Sequence, residues 1–195
     1  GLWLVLLSIS PITVFQNTPL SDALSSPSVL TNVLLRLFGR WAFTLIFVQI
    51  MIGAFMEKLI KYFGGWILKF HLTEGLFTYG LILFHPALFL LGIFLQTGKI
   101  DLFILLPRLS PAYEYFLTLG KISFVLVTIS VLDAYFRTHP LLQKHWRKLH
   151  FLNYLIFVLV AAHAFNVGSD TQTKPFVFLS PLFYLGVIVA VVGRR

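Results

Sequence analysis

Four histidines stand on two apolar segments in a pattern that could hold metal atoms. His71 and His85 lie fourteen positions apart in HLTEGLFTYGLILFH, and His150 and His163 lie thirteen apart in HFLNYLIFVLVAAH. Neutral imidazole is a common ligand of metal ions and of haem iron. Fourteen helical residues rise about 21 Å and return to nearly the same face of the helix. Two such helices running in the same direction would therefore present histidines at two matching levels.

A bis-histidine haem takes one imidazole on each side of the porphyrin, and facing helices of a bundle can hold such a cofactor between them. The natural pairs are His71 with His150 and His85 with His163. The spacing of thirteen is less regular, because about 100° per residue leaves His163 off the face of His150. We expect a tightened turn, a helix tilt or different rotamers to correct this. His145, eighteen positions before His163, is a weaker alternative ligand.

Two other interpretations of the histidines stay open. A histidine in a membrane helix can hydrogen-bond a neighbouring helix without binding any cofactor. A histidine-lined path for zinc or copper is a non-redox alternative, and such a path usually needs carboxylate or thiolate ligands in the same spans. Glu74 is the residue that offers a carboxylate here.

The composition indicates that these residues are positioned by membrane helices. Of the 195 residues, 58% are hydrophobic and 11% are charged, and the mean hydropathy is +0.88. A soluble domain of this size cannot bury so much apolar surface. Long apolar runs predict an all-α polytopic membrane protein, a six-transmembrane-helix bundle with the four histidines on spans three and five. The spans are predicted near residues 1–15, 39–58, 65–95, 113–136, 147–167 and 175–193. Residues 29–38 are expected to form an amphipathic interfacial lead-in to the second span.

The basic residues cluster at one end of these spans. One side carries nine of them, namely Lys58, Lys61, Lys69, Arg137, Lys144, Arg147, Lys148, Arg194 and Arg195. The opposite loops carry three, namely Lys99, Arg108 and Lys174. By the positive-inside rule, we expect cytoplasmic N- and C-termini in an integral protein of the cell membrane, taken here as a bacterial inner membrane.

Several classes of function do not fit this sequence. The net charge of +8 reflects topology, so no nucleic-acid partner is expected. The chain has no cysteine, which excludes disulfides and thiolate metal sites. It also has no P-loop and no Gly-x-Gly-x-x-Gly motif, so we expect no nucleotide site within it.

The two histidine segments resemble the ferric reductase-like transmembrane domain. This superfamily includes ferric reductases, NADPH oxidases and the haem subunit of a bacterial methionine-sulfoxide repair system. The resemblance rests on HLTEGLFTYGLILFHP, on HWRKLHFLNYLIFVLVAAHAF, on the GSD at 168–170, and on the histidine spacings of fourteen and thirteen. It covers residues from about 35 to 195 and implies one domain over 1–195. The implied fold has six helices with two b-type haems between spans three and five, held by His71, His85, His150 and His163.

The resemblance also implies a direction of electron transfer. Electrons would come from a cytoplasmic flavin reductase domain or subunit that binds FAD and NAD(P)H, which this chain does not itself contain. They would leave to an acceptor on the outer face, such as ferric iron or oxygen. The chain would then be the membrane redox domain of an oxidoreductase.

Further residues distinguish members of this superfamily. Arg40, in GRWAF at the predicted outer start of span two, matches an arginine near the outer haem of the oxidases, where it would contact a propionate or the oxidant. An arginine extending to the membrane interface is the alternative. Phe89 stands where the oxidases carry another histidine, which weakens the case for superoxide production. The sulfoxide-repair subunit, with a single haem, is the alternative within the superfamily. That group commonly has arginine in place of the first histidine of span three, so His71 favours two complete sites.

Overall fold

The computed structural model describes residues 2–140, 143 and 146–193. Over these residues the chain is all-helical and contains no strand. Its α-helices are α1 (Leu2–Asn17), α2 (Leu20–Ala23), α3 (Pro27–Ala54), α4 (Met56–Phe63), α5 (Trp66–Thr97), α6 (Ala112–Tyr135), α7 (Trp146–His150), α8 (Leu152–Val167) and α9 (Phe176–Val192). A short 3₁₀ turn, Leu102–Leu105, lies between α5 and α6.

Within the residues described, four helical stretches are long and apolar enough to cross a membrane, namely α3, α5, α6 and Lys148–Val167. This fits an integral membrane protein. The helices α1 and α9 are also apolar, but they have only 16 and 17 residues. A perpendicular crossing takes about 20 helical residues, so the count of six spans stays a prediction.

The second predicted span differs from the helix observed. The helix begins before the predicted start at residue 39, because α3 runs without a break from Pro27 to Ala54 and includes the expected lead-in, residues 29–38. Its start is capped by Ser26, whose hydroxyl accepts a hydrogen bond from the Val29 amide at 3.3 Å, and Pro27 occupies the first turn. The predicted end at residue 58 is also wrong. The helix α3 ends at Ala54, and α4 follows and ends at Phe63; the next residue, Gly64, has a φ of 83°, which suits glycine.

The fifth predicted span is interrupted beside its first histidine. His150 is the last residue of α7, and α8 begins at Leu152. Around the break, the amide of Phe151 bonds the carbonyl of Lys148 at 3.2 Å, and that of Tyr154 bonds the carbonyl of Phe151 at 3.3 Å. These bonds span three residues rather than four, which winds the chain more tightly than an α-helix. The turn changes the direction of His150 relative to His163.

The helix α3 occupies the centre of the fold. It contacts α1, α5, α8 and α9, while α6 packs along α8. The core between α3, α8 and α9 is built from phenylalanines: Phe43 stacks on Phe157 at 5.3 Å between ring centroids, and Phe47 stacks on Phe183 at 4.4 Å. In the described part of the chain, α5 and α8 pack mainly against α3 and α6 rather than against each other. Side chains from α5 and α8 therefore meet across a space between two helix pairs.

Candidate functional site

The structure brings the four histidines together in two pairs, each with one member from α5. The ring centroids of His71 and His150 lie 6.4 Å apart, and those of His85 and His163 also lie 6.4 Å apart. We call these the 71/150 pair and the 85/163 pair. Because His71 on α5 meets His150 on α7, and His85 on α5 meets His163 on α8, the segment α7–α8 runs in the same direction as α5.

The separation within each pair suits one metal atom between two imidazoles. A metal–imidazole bond is about 2 Å long and the ring centroid lies about 1 Å beyond the nitrogen, so opposed ligands have centroids about 6 Å apart. The ring planes of both pairs are steeply inclined, at 76° and 82°. Two imidazoles that held one metal atom from opposite sides could be rotated freely about the line joining them, so this inclination is no obstacle to a shared metal atom. The separation of the rings in each pair is therefore compatible with one metal atom bound between them.

Backbone carbonyls orient both members of the 85/163 pair. Nδ1 of His85 lies 3.0 Å from the carbonyl oxygen of Leu35 on α3, and Nδ1 of His163 lies 3.1 Å from that of Phe116 on α6. A carbonyl can only accept, so each Nδ1 carries a proton and donates it. In a neutral imidazole this leaves the lone pair on Nε2, which is the nitrogen free to bind a metal. Metal-binding histidines usually have such a hydrogen bond on their other nitrogen.

The 71/150 pair is held differently. Gln49 on α3 donates to the backbone carbonyl of His71 at 3.0 Å, and Nδ1 of the His71 ring is buried with no hydrogen-bond partner in the described part of the chain. Nδ1 of His150 lies 3.3 Å from the Asn153 amide group, whose oxygen accepts from Ser130 at 3.0 Å. An amide can present its oxygen or its nitrogen to the ring, so this contact does not select one tautomer of His150.

A buried carboxylate also lies close enough to His150 to interact with it electrostatically. Asp133 on α6 is 3% exposed, and within residues 2–140, 143 and 146–193 its two oxygens have no hydrogen-bond partner. Asp133, Asn153 and Ser130 were not among the predicted site residues. Their polar side chains on otherwise apolar helices were the available signal.

Arg40 lies inside α3 and not at its outer start. It is 7% exposed, so its guanidinium is enclosed by the protein. Its guanidinium carbon stacks 3.9 Å from the centroid of the Phe176 ring, and Nη1 lies 4.0 Å from an oxygen of Asp170. None of the three guanidinium nitrogens has a hydrogen-bond partner in the part of the chain that the structure describes. Since Arg40 follows Gly39, which lies beside His85, this buried cation is at the level of the 85/163 pair.

A second arginine anchors the loop before α9. Arg36 makes a bidentate contact with Asp170, both N–O distances being 2.7 Å, and its Nη1 donates to Thr18 at 2.8 Å. Asn17 donates to the same carboxylate at 2.6 Å. This network joins α1, α3 and the α8–α9 loop. The GSD segment therefore has a structural partner that its sequence alone did not indicate.

Glu74 and His145 were the two other predicted ligands. Glu74 is 4% exposed, and Thr78 donates to one of its oxygens at 3.3 Å. Among the residues described, no three or more histidine, aspartate or glutamate side chains form a group that could hold a metal ion. His145 lies outside the described residues.

Comparison of the chain with family models, with curated proteins and with solved structures gives no match.

Proposed function

We propose that this chain conducts electrons across the membrane through two b-type haems, one held between α5 and α7 and one between α5 and α8. The observation that carries this proposal is the pair of matched imidazole pairs, each 6.4 Å between ring centroids. Haem iron supplies one-electron redox chemistry. The donor would be a reduced flavin in a cytoplasmic reductase domain or subunit, and one electron would leave to an outer acceptor, such as ferric iron or oxygen, for each electron received.

The positions of the histidines and lysines define the proposed electron path. On α5 the two histidine levels are about 21 Å apart along the helix, which divides a hydrocarbon core of about 30 Å into two steps. Positive charge on Lys58, Lys61 and Lys69 would place the 71/150 pair near the cytoplasm. In this arrangement α1 and α9 are the two additional spans, and the 85/163 pair is the outer site.

Arg40 suits a propionate at the outer site. A buried guanidinium whose nitrogens lack acceptors is stabilised by a carboxylate, and charge-assisted contacts of this type are among the strongest hydrogen bonds. Phe176 and Asp170 hold the guanidinium in place from one side. Contact with an oxidant at the same position is the other role proposed for Arg40.

A single-haem subunit, as in sulfoxide repair, is the second candidate function. One observation favours it: the 85/163 pair has both rings oriented by carbonyls, whereas the 71/150 pair does not. In that case the outer site would hold the haem. A metal-ion transporter is less well supported, because each pair offers two imidazoles, whereas protein-bound zinc usually takes three or four protein ligands.

Electron transfer across sealed vesicles tests the proposed function. Vesicles with the cytoplasmic face outward would be loaded with ferricyanide and given reduced FMN, which does not cross the membrane. We expect rapid haem reduction followed by loss of the enclosed ferricyanide. In His163→Ala, reduction at the inner site should persist while ferricyanide loss stops. Faster reduction in vesicles of the opposite orientation would contradict the direction, and equal ferricyanide loss in vesicles lacking the chain would contradict the activity.

A further inference from the structure

The rings of the 85/163 pair lie against glycines of neighbouring helices. A Cβ atom built on Gly39 of α3 would lie 2.7 Å from Cε1 and 2.9 Å from Nδ1 of His85. A Cβ atom on Gly120 of α6 would lie 2.8 Å from Nδ1 and 2.9 Å from Cε1 of His163. Separations this short do not occur between a real Cβ and its neighbours, so any side chain would displace the ring.

Each glycine has the same relation to the carbonyl that its histidine contacts. The Leu35 carbonyl precedes Gly39 by four residues, and the Phe116 carbonyl precedes Gly120 by four. In an α-helix such a carbonyl already accepts a hydrogen bond from the amide four residues later. A second donor can therefore reach the carbonyl only by passing the side chain of that later residue. A missing side chain there opens a notch through which an imidazole can approach the carbonyl.

We propose that Gly39 and Gly120 are positioning residues that fix the tautomer and orientation of His85 and His163. Each notch lets the ring reach a carbonyl, which accepts a hydrogen bond from the protonated Nδ1, and the unprotonated Nε2 is left directed toward the opposite histidine. The notch itself is a property of the protein chain, and its role in holding a haem rests on the proposed function.

The 71/150 pair provides a matched control on the same helix. Gly53 lies fourteen residues after Gly39 on α3, and a Cβ atom there would be 3.6 Å from Cε1 of His71. That separation is an ordinary van der Waals contact. Alanine at position 53 should therefore fit beside a histidine, whereas alanine at 39 should not. In helix interiors alanine is favoured over glycine by about 1 kcal/mol, so helix propensity would not cause a loss at position 39.

The first measurement is haem content in purified Gly39→Ala, Gly120→Ala and Gly53→Ala chains. We expect about 10–100-fold weaker haem binding at the outer site in the first two, by analogy with other metal sites that lose an orienting contact. The inner haem should remain and report that the chain is folded. Gly53→Ala should keep both haems. Full outer haem with unchanged spectra in both Gly39→Ala and Gly120→Ala would overturn the proposal.

The second measurement does not need haem. In the chain prepared without haem and labelled with ¹⁵N-histidine, nitrogen NMR should show His85 and His163 protonated at Nδ1. Gly39→Ala should change the His85 signals and leave those of His163 unchanged, and Gly120→Ala should do the reverse. Protonation of both rings at Nε2 in the unsubstituted chain would overturn the notch proposal. A chain that binds no haem but shows the expected signals would retain the notch and refute the haem function.

Discussion

Replacing His85 by alanine should remove one of two haems, and replacing His163 should remove the same one. Each of these rings supplies one side of a site whose imidazole centroids are 6.4 Å apart, so either truncation leaves a single protein ligand. Replacement of His71 or His150 should remove the other haem, because those rings form the second pair at the same separation. Haem per chain should fall from two to about one in each single variant.

Spectra of the double variants test which histidines share one haem. His85→Ala combined with His163→Ala should match either single variant, because both residues serve one site. His71→Ala combined with His163→Ala should lose both haems. The control is His139→Ala, since His139 lies exposed on the segment after α6. Matching spectra for the single variants His71→Ala and His163→Ala would show that the pairing is wrong.

Replacing Asp170 by asparagine should destabilise the fold by about 3–5 kcal/mol, the usual range when one member of a buried ion pair is removed. The Asp170 side chain is 2% exposed and holds Arg36 through two contacts of 2.7 Å. Asparagine preserves the shape but removes the negative charge. Its amide group would also direct a donor at Arg36, while Arg40, 4.0 Å away, would lose its nearest anion.

Unfolding of the two variants Asp170→Asn and Asp22→Asn in mixed detergent micelles measures this effect. Both change the net charge equally, but Asp22 is exposed, so its replacement should alter the free energy of unfolding by no more than about 0.5 kcal/mol. Equal stability of the two variants would mean that the Arg36–Asp170 network does not anchor the α8–α9 loop.

The helical class and the apolar segments were predictable from composition and run length. The start of α3 was not predictable. The polar residues Thr31, Asn32 and Arg36 made residues 29–38 look like an interfacial lead-in. In the structure Arg36 is neutralised by Asp170, a residue 134 positions away, and Thr31 is 6% exposed. Local composition carries no information about a partner so distant in sequence.

The histidine pairs show what the spacing of residues in the sequence can predict and what it cannot. The matched levels followed from helix geometry, and the awkward spacing of thirteen coincides with the tight turn at Phe151. The glycine notches were missed, although Gly39 and Gly53 repeat on α3 the spacing of His71 and His85. The repeat places Gly39 beside His85 and Gly53 beside His71 only because α3 packs antiparallel to α5. That packing cannot be read from the sequence.

Haem stoichiometry of the purified chain tests the two-haem proposal most directly. The chain would be expressed with haem supply, its visible spectrum recorded in the oxidised and reduced states, and its haem measured as pyridine haemochrome against quantified protein. We expect sharp b-type bands on reduction and two haems per chain, since each pair of imidazoles at 6.4 Å suits one iron atom. A ratio near one would replace this proposal with the single-haem subunit. A colourless chain that binds zinc would contradict electron transfer altogether.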